Sequence, residues 1–415
     1  MERPNPIFLP EAALLSLQDT PCYVYDENGL RHTARELTRA FSWSRGYRQF
    51  FAVKAAPNPQ ILRILREEGQ GAMCTTRTEL LLAERCGFSK DQIVFAGCFP
   101  LAEDFAEAER LGAEIIFDDL AQLERYVRCW RLPETVGLRY NAGGRMTAGR
   151  RTLANPEISK FGMPKRALFQ AVVLLLNRGV RRIGLHAQYA SNQTDSAYFA
   201  ALAQELFSLA LEIQVYFNLT VAYCDLSGGL GIPQTGRPDA ALDAAAEAIR
   251  GCFERYMRAA ALGKVPVRTQ FGRFVVGANG ILVSHVLYKK ESYRSYVAVD
   301  ASSAQLMRTM LLDAQYPVTF FPQREDAERK LQIVVGSAAD VLDKLTDKRF
   351  FPEPEVGDLC VFHNTGAYAA GLGNHHCGRL RAAEYLYTAQ GTLRLVRHAE
   401  TVEDYFQGFL WESPE

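Results

Sequence analysis

The feature that most constrains this chain is the alternation of short apolar segments with amphipathic ones between about Asn28 and Arg273. The apolar segments have the composition of buried strands, and each is followed by apolar residues at helical spacing. They are QFFAVKA, IVFAG, EIIFD, ETVGLRYN, RRIGLHAQY, VAYCDLSGG and VPVRTQFGR. Strands that alternate with helices predict a parallel sheet, and about eight such units in roughly 250 residues predict a (β/α)8 TIM-like barrel.

The pattern changes after Gly277 to β-branched and aromatic segments without long helices between them. These segments are GILVSHVLYKKE, SYVAVDA, KLQIVVGS, DLCVFHN and TLRLVRH. They predict a C-terminal antiparallel β domain, and the early segment TPCYVYDENGL is expected to add one strand to it. The fold class is therefore α/β, with a barrel over 28–275 and a β-rich domain formed by 1–27 plus 276–415.

Charge and composition exclude several classes of function. Lys+Arg and Asp+Glu balance at 47 each, so no basic field favours nucleic acid or a membrane surface as a partner. The N-terminus lacks the apolar core of a signal peptide and no apolar run is long enough to span a bilayer, which predicts a cytoplasmic protein. Nine scattered cysteines without C-x-x-C spacing argue against a disulfide framework and a thiolate metal site.

Lys54 ends an apolar run in FFAVKAAPNP, and Pro57 and Pro59 prevent that strand from continuing. A lysine buried there would have a lowered pKa and could attack a carbonyl carbon of a substrate or of pyridoxal phosphate. The alternative is a lysine with a buried stem whose charged head reaches solvent. Considered alone, this stretch favours the alternative.

A candidate anion site follows two later strands. Ser227, Gly228 and Gly229 come directly after an apolar strand, where backbone N–H groups can approach a phosphate. A tight turn explains the glycines equally well. Gly272 and Arg273 follow the next strand and add a guanidinium suited to a phosphate. Together they predict an anion site late in the barrel.

Nine motifs occur in the order and approximate spacing of one known family. They are YVYD, FAVKAAPNP, SKFGMP, LSGGLGIP, FGRF, VAVDASSAQLMR, PEPEVGDL, GAY and RLRAAE. In these motifs the chain resembles the ornithine/diaminopimelate/arginine decarboxylase family over nearly its whole length. The resemblance implies a pyridoxal 5'-phosphate enzyme of fold type III with an alanine-racemase-like barrel. It also implies a C-terminal β domain and a homodimer with shared active sites.

The resemblance implies roles for particular residues. Lys54 matches the lysine that holds the cofactor, Arg139 matches an arginine near the cofactor ring, and Glu79 lies in the segment after the lysine strand. Arg308 matches an arginine that holds a substrate carboxylate in the diaminopimelate branch, although an interface ion pair is an equal alternative. The residues that match cofactor and phosphate contacts are Ser191, Ser227, Gly228, Gly229, Gly272, Arg273 and Tyr368.

Four positions depart from the family's pattern. Gln188 replaces the histidine stacked on the cofactor ring, and Gln270 replaces the carboxylate that pairs with the pyridine nitrogen. Because Gln270 is neutral, it stabilises a protonated ring nitrogen less, and the ring becomes a weaker electron sink. Ala339 stands where the partner subunit's cysteine normally donates a proton, and Met73 replaces an aspartate.

A replacement proton donor is predicted in GNHHCGR. His376 and Cys377 are chemically competent to donate a proton near neutral pH. The alternative is that they line a pocket reshaped for another substrate. Asp340 and Asp343 remain in the loop with Ala339 and could bind a substrate amine or cap that loop.

Three functions are consistent with these residues. The first is a decarboxylase of an amino acid, or of an amino-acid-containing biosynthetic intermediate, with a distal carboxylate bound by Arg308. The second is a racemase or epimerase, which a weaker electron sink would suit but which needs a second acid or base besides Lys54. The third is an inactive binding or regulatory homologue. Leu312 and the GSAAD loop depart from the diaminopimelate branch, so the sequence does not identify the substrate.

Overall fold

The computed structural model describes residues 8–17, 19–145, 157–233, 238–324 and 326–411. The chain divides into two compact units, one formed by Leu30–Val275 and the other by the residues on either side of it. Each unit has a hydrophobic core of its own. The cofactor-binding and dimer-site roles assigned to residues 28–275 and to 1–27 plus 276–415 stay predictions.

The strands in the described part of the chain are numbered in chain order. They are β1 (Cys22–Asp26), β2 (Arg48–Ala52), β3 (Gly71–Cys74), β4 (Ile93–Phe95), β5 (Glu114–Phe117), β6 (Thr135–Tyr140), β7 (Arg182–Ala187), β8 (Thr220–Asp225), β9 (Val267–Thr269), β10 (Gly280–Glu291), β11 (Ser295–Val299), β12 (Val318–Phe321), β13 (Arg329–Val335), β14 (Arg349–Pro352), β15 (Leu359–Phe362), β16 (Ala383–Tyr387) and β17 (Leu393–Arg397).

The helices are numbered in the same way. They are α1 (Glu11–Leu15), α2 (Glu27–Ala40), α3 (Pro59–Glu67), α4 (Arg77–Arg85), α5 (Ala102–Leu111), α6 (Leu120–Cys129), α7 (Lys165–Asn177), α8 (Ser196–Phe217), α9 (Pro238–Phe253), α10 (Arg273–Val276), α11 (Met307–Leu312) and α12 (Val402–Phe406). Among the described residues, none of these helices is both long and apolar enough to cross a bilayer.

Strands β2 to β9 form a closed barrel in which every neighbouring pair is parallel. Closure occurs where β9 pairs with β2, with Arg268 opposite Arg48. The predicted (β/α)8 barrel is therefore confirmed. Strand β3 is not among the predicted segments, because its sequence GAMC is short and contains no β-branched residue.

The barrel interior is packed around the ring of Tyr223 on β8. Gly137 on β6 and Gly184 on β7 leave room for it, since a Cβ atom at Gly184 would lie 1.9 Å from Tyr223 Cζ. The Arg268 guanidinium lies 3.6 Å from the centroid of the same ring and forms an ion pair with Glu114 at 2.8 Å. Side chains therefore fill this barrel.

The second unit is a mixed sheet that is mostly antiparallel. Its main strand order is β14-β13-β11-β10-β1-β16-β17, with β15 joining β10 to β12. As predicted, the early strand β1 belongs to it, pairing antiparallel with β10 and parallel with β16. Strands β11 and β13 are also parallel, so the domain is not purely antiparallel. The short strands β12, β14 and β16 and helix α11 were not predicted.

Candidate active site

Three predicted polar residues meet where neighbouring barrel strands end. Gln188 follows β7, Ser227 follows β8 and Gln270 follows β9. Ser227 Oγ lies 3.1 Å from Gln188 Oε1 and 3.4 Å from Gln270 Oε1. Because the strands are parallel, their carboxyl ends lie at one end of the barrel, where barrel enzymes place their active sites.

The turn after β8 requires small residues for reasons of packing. Ser227 is fully buried with φ of 53°, and Gly229 has φ of 109°. A Cβ atom at Gly228 would lie 3.0 Å from the Gln270 carbonyl oxygen, and one at Gly229 would lie 3.0 Å from the Ala190 carbonyl oxygen. The glycines thus allow close backbone approach, which satisfies both the tight-turn and the phosphate interpretations.

Asp225, which was not predicted as a site residue, lies at the end of β8 with no solvent exposure. Its Oδ1 accepts a hydrogen bond from Ser227 N at 2.7 Å, and its Oδ2 accepts one from Gln270 Nε2 at 2.7 Å. Burial raises the pKa of this carboxyl to about 6, against the hydrogen bond from Ser227 and the charge of Arg268. The available signal was a carboxylate inside the apolar segment VAYCDLSGG.

His186 on β7 was also not predicted, and its ring is 1% exposed. Burial, and then the charge of Arg139, lower its pKa well below the usual value, so the imidazole is neutral. Its side chain hydrogen-bonds that of Gln270, whereas Nδ1 has no partner among the described residues.

Lys54 lies in a single 3₁₀ turn, Val53–Ala55, directly after β2. Lys54 is exposed, which agrees with the alternative of a lysine whose charged head reaches solvent. The strand stops at Ala52, which leaves the side chain at the barrel rim. Neighbouring atoms nevertheless exclude enough water to lower the pKa of Lys54, with Glu79 opposing and Arg139 assisting.

Arg139 on β6 is 9% exposed and tightly held. It forms an ion pair with Asp118 at 2.8 Å, and its guanidinium lies 4.4 Å from the Phe161 ring centroid. The segment SKFGMP reaches this strand through a hydrogen bond from Met163 N to the Arg139 carbonyl oxygen at 2.9 Å. The barrel thereby fixes a cation near Lys54.

Three other predicted residues lie in loops at the same end of the barrel. Ser191 is half-buried in the loop after β7, close in sequence to Gln188. Gly272 directly precedes α10, and Arg273, 8% exposed, begins that short helix after β9. Their positions match the predicted anion site, and their phosphate-binding role stays a prediction.

The β-rich unit holds the other predicted residues. The Arg308 guanidinium on α11 lies 5.9 Å from the Tyr368 ring centroid. Arg308 Nε is buried and has no hydrogen-bond partner among the described residues. Tyr368 has φ of 56°, which fixes its backbone in an uncommon conformation.

His376 forms a pair with Asp340 in the same unit, with His376 Nε2 2.7 Å from Asp340 Oδ2. Cys377 beside it is exposed and has φ of 56°. Asp343 accepts hydrogen bonds from Ser303 N at 2.6 Å and Ala338 N at 2.7 Å, so it caps the loop. Asp340 caps the loop as well, since its Oδ1 accepts a hydrogen bond from Leu342 N at 2.8 Å, and it differs from Asp343 in also pairing with His376. In the described part of the chain, no cluster of His, Cys, Asp and Glu could hold a metal ion.

Comparison with known proteins places these residues in context. The family model described as pyridoxal-dependent decarboxylase, pyridoxal binding domain, matches residues 29–277. Protein TabA of Pseudomonas amygdali pv. tabaci is 33% identical, over 96% of this chain and 93% of its own length. A diaminopimelate decarboxylase of Methanothermobacter thermautotrophicus is 29% identical, over 94% of this chain and 91% of its own.

The fold has solved counterparts. A mutant diaminopimelate decarboxylase from Helicobacter pylori, complexed with L-lysine, superimposes with a TM-score of 0.85. It is 20% identical and the match covers 96% of this chain and 98% of that one. At this identity the likeness concerns the fold, a barrel followed by a mostly antiparallel β unit.

Proposed function

This chain belongs to the pyridoxal-dependent decarboxylase family, and on that premise we propose that it decarboxylates an amino acid, or an amino-acid-containing biosynthetic intermediate, with a distal carboxylate. Its cofactor is pyridoxal 5'-phosphate. The convergence of Gln188, Ser227 and Gln270 at the end of the barrel that carries Lys54 supports this proposal most strongly.

The residues fit this cofactor. Gly228 and Gly229 form a closely packed turn with no side chains, and the backbone N–H groups of such a turn can bind a phosphate. The amine of Lys54 has a lowered pKa, because neighbouring atoms exclude water from it, and so loses its proton more readily than an unperturbed lysine. Lys54 would hold the cofactor, and its phosphate would be held by Ser191, Gly228, Gly229, Gly272, Arg273 and Tyr368.

The cofactor supplies an electron sink for the charge that remains when carbon dioxide leaves. The protein's residues orient the substrate, place charged groups near Lys54 and return a proton to the product. Asp118 and Phe161 fix Arg139, and Thr75 fixes Glu79 through hydrogen bonds from its N at 2.6 Å and its Oγ1 at 2.9 Å. These contacts place one cation and one carboxyl near Lys54.

We propose that His376 returns a proton to the product carbon and that Asp340 positions it. A carboxylate bonded to one imidazole nitrogen sets the ring's orientation. Cys377 stands beside it as a thiol and is the alternative donor. No cysteine is needed at Ala339 if this pair performs the step.

Arg308 is proposed to bind the distal carboxylate. Its buried Nε lacks a partner among the described residues, and a buried guanidinium nitrogen is costly to leave without an acceptor. Some relatives are named diaminopimelate decarboxylases. Leu312 and Ala339 depart from that branch, so the proposed substrate is a class defined by its second carboxylate.

The test is to follow the visible absorption of the protein with added pyridoxal phosphate, before and after borohydride, while measuring carbon dioxide release from a panel of amino acids. The wild type is expected to show a reducible band and to act on acids with a distal carboxylate. Lys54→Ala is expected to lose both. Lys165→Ala, which removes an outer-helix lysine paired with Glu212, is the matched control.

Other outcomes identify the alternatives. Turnover confined to diamines without a distal carboxylate would contradict the role of Arg308. Inversion of the α-carbon without carbon dioxide release would identify a racemase. A bound cofactor with no reaction on any amino acid, or no band at saturating cofactor, would indicate a binding homologue.

A further inference from the structure

A buried carboxylate lies directly behind Gln270. Asp225 has no solvent exposure, and Gln270 is 2% exposed. Both Asp225 oxygens are hydrogen-bonded, one to Ser227 N and one to Gln270 Nε2, each at 2.7 Å. Position 270 is therefore neutral, but a carboxylate stands one hydrogen bond away from it.

This contact determines which way the Gln270 amide faces. An ionised carboxylate only accepts hydrogen bonds, so Gln270 must turn its NH2 group towards Asp225 and its Oε1 away. Ser227 Oγ has one proton and lies nearer to Gln188 Oε1, at 3.1 Å, than to Gln270 Oε1, at 3.4 Å. His186 bonds the Gln270 side chain. Because a carbonyl oxygen has two lone pairs, Oε1 keeps room for one further donor.

No cation in the described part of the chain forms an ion pair with Asp225, although the charge of Arg268 favours its ionised form. The nearest basic residue along the paired strand, Arg268, forms its ion pair with Glu114 at 2.8 Å and covers the Tyr223 ring. The charge of Asp225 therefore polarises the Gln270 amide and makes Oε1 a stronger acceptor. Burying an ionised carboxylate is unfavourable, so this arrangement lowers the stability of the fold, which points to a role in function.

We propose that Asp225 is a positioning residue that acts through Gln270 as a carboxylate at position 270 would act directly, by keeping the ring nitrogen of the cofactor protonated. The inference rests on the proposed function, which places that nitrogen at Gln270. The ring N–H would donate a hydrogen bond to Gln270 Oε1 and keep its proton, while the balancing negative charge would remain on Asp225. The electron sink is thereby preserved despite the neutral amide.

The test uses holoenzyme prepared with pyridoxal phosphate labelled with ¹⁵N in the ring. Its NMR resonance is compared with those of the free cofactor in its protonated and unprotonated forms. The wild type is expected at the protonated position and Asp225→Asn at the unprotonated position. The double variant Asp225→Asn with Gln270→Glu moves the charge to position 270 and is expected to restore the protonated position.

Lys165→Ala is the control, because it removes an outer-helix lysine paired with Glu212 and leaves Asp225 and Gln270 unchanged. Its resonance is expected to stay at the protonated position. Gln270→Met removes the amide that lies between Asp225 and the proposed position of the ring nitrogen. The ring is expected to lose its proton in this variant although Asp225 is intact, so the test does not depend on one variant folding.

Three results would overturn the inference. They are an unprotonated ring in the wild type, a protonated ring in both Asp225→Asn and Gln270→Met, or an unprotonated ring in the double variant. A wild type that takes up no labelled cofactor would instead contradict the proposed function. The two failures are therefore distinguishable without measuring turnover.

Discussion

At the scale of single residues, Asp225 shows what a buried charge does to stability. Its folded-state pKa is about 6, against 3.8 for an unperturbed aspartate, because burial disfavours the ionised form. The folded protein therefore holds this proton more tightly than the unfolded chain does. The resulting stability is fully present below the unfolded value and is lost as pH rises through about 6.

Asp225→Asn is expected to remove this pH dependence and to stabilise the cofactor-free protein above that pH. Two pKa units correspond to an upper estimate of about 3 kcal/mol in the free energy of unfolding. Urea unfolding of both proteins at several pH values below and above about 6 measures this free energy. Asp326→Asn, which removes a surface charge, is the control and should leave the profile unchanged. A variant less stable than the wild type above pH 6 would contradict this account.

His376 makes the second residue-scale prediction. If it donates the proton, His376→Asn lowers kcat by about a hundredfold or more, because general acid catalysis contributes on that order. Asp340→Asn should lower kcat less, because it loosens the ring without removing it. Cys377→Ala is the matched control and should retain activity. Activity retained in His376→Asn and lost in Cys377→Ala would assign proton donation to Cys377. Unchanged turnover in a variant that lacks both side chains would exclude both as donors.

At the scale of elements, strand β8 serves the core and the site together. Tyr223 fills the barrel interior, Asp225 ends the strand, and Ser227 begins the turn that meets Gln188 and Gln270. Side chains alternate along a strand, so residues 223 and 225 face the same side. The packing of the barrel interior and the placement of the hydrogen-bonded pair Asp225 and Gln270 therefore depend on each other.

Gly184→Ala is expected to destabilise the barrel by about 1–3 kcal/mol or more, since the added Cβ overlaps the Tyr223 ring and forces repacking. Gly251→Ala is the matched control, because its added Cβ in helix α9 meets no atom within 4 Å. That change should be neutral or stabilise by up to about 1 kcal/mol. Denaturant midpoints compare the two, and an equal effect would show that the Tyr223 contact is unimportant.

At the scale of the whole molecule, the homodimer that the family resemblance implies stays a proposal, and it would explain why the proposed site residues are divided between the two units of the chain. The loop that carries Asp340 also exposes Val341 and Leu342, by 80% and 53%. Exposed apolar side chains beside a functional residue are typical of a surface that another chain covers. Asp340 is therefore proposed to serve the barrel of the partner.

Mixing two inactive variants tests this arrangement. Lys54→Ala and His376→Asn, which removes the ring paired with Asp340, change different units, so a mixed dimer with shared sites has one intact site. An equal mixture that exchanges subunits should recover about one quarter of wild-type activity. Each variant alone, at the same concentration and after the same exchange, is the control. No recovery, with mixed dimers shown by mass measurement, would place both residues in the site of one chain.

The sequence by itself determined the barrel, the β-rich domain with its early strand, and the family with its cofactor. These properties follow from periodicity and from motif order, which are local in the chain. Sequence also located Ser227, which follows an apolar strand, and the family resemblance located Gln188 and Gln270 as departures from its motifs.

Only the tertiary structure decided which side chains become partners. The hydrogen bond from Gln270 to Asp225 and the pairing of His376 with Asp340 join residues far apart in sequence. Strand β3 forms because its neighbours in the barrel pair with it, although its own residues give little strand signal. Lys54 is exposed because β2 ends before it. Which side chains bond to each other, and which are buried, depends on contacts between residues far apart in the chain. A local sequence pattern does not encode those contacts.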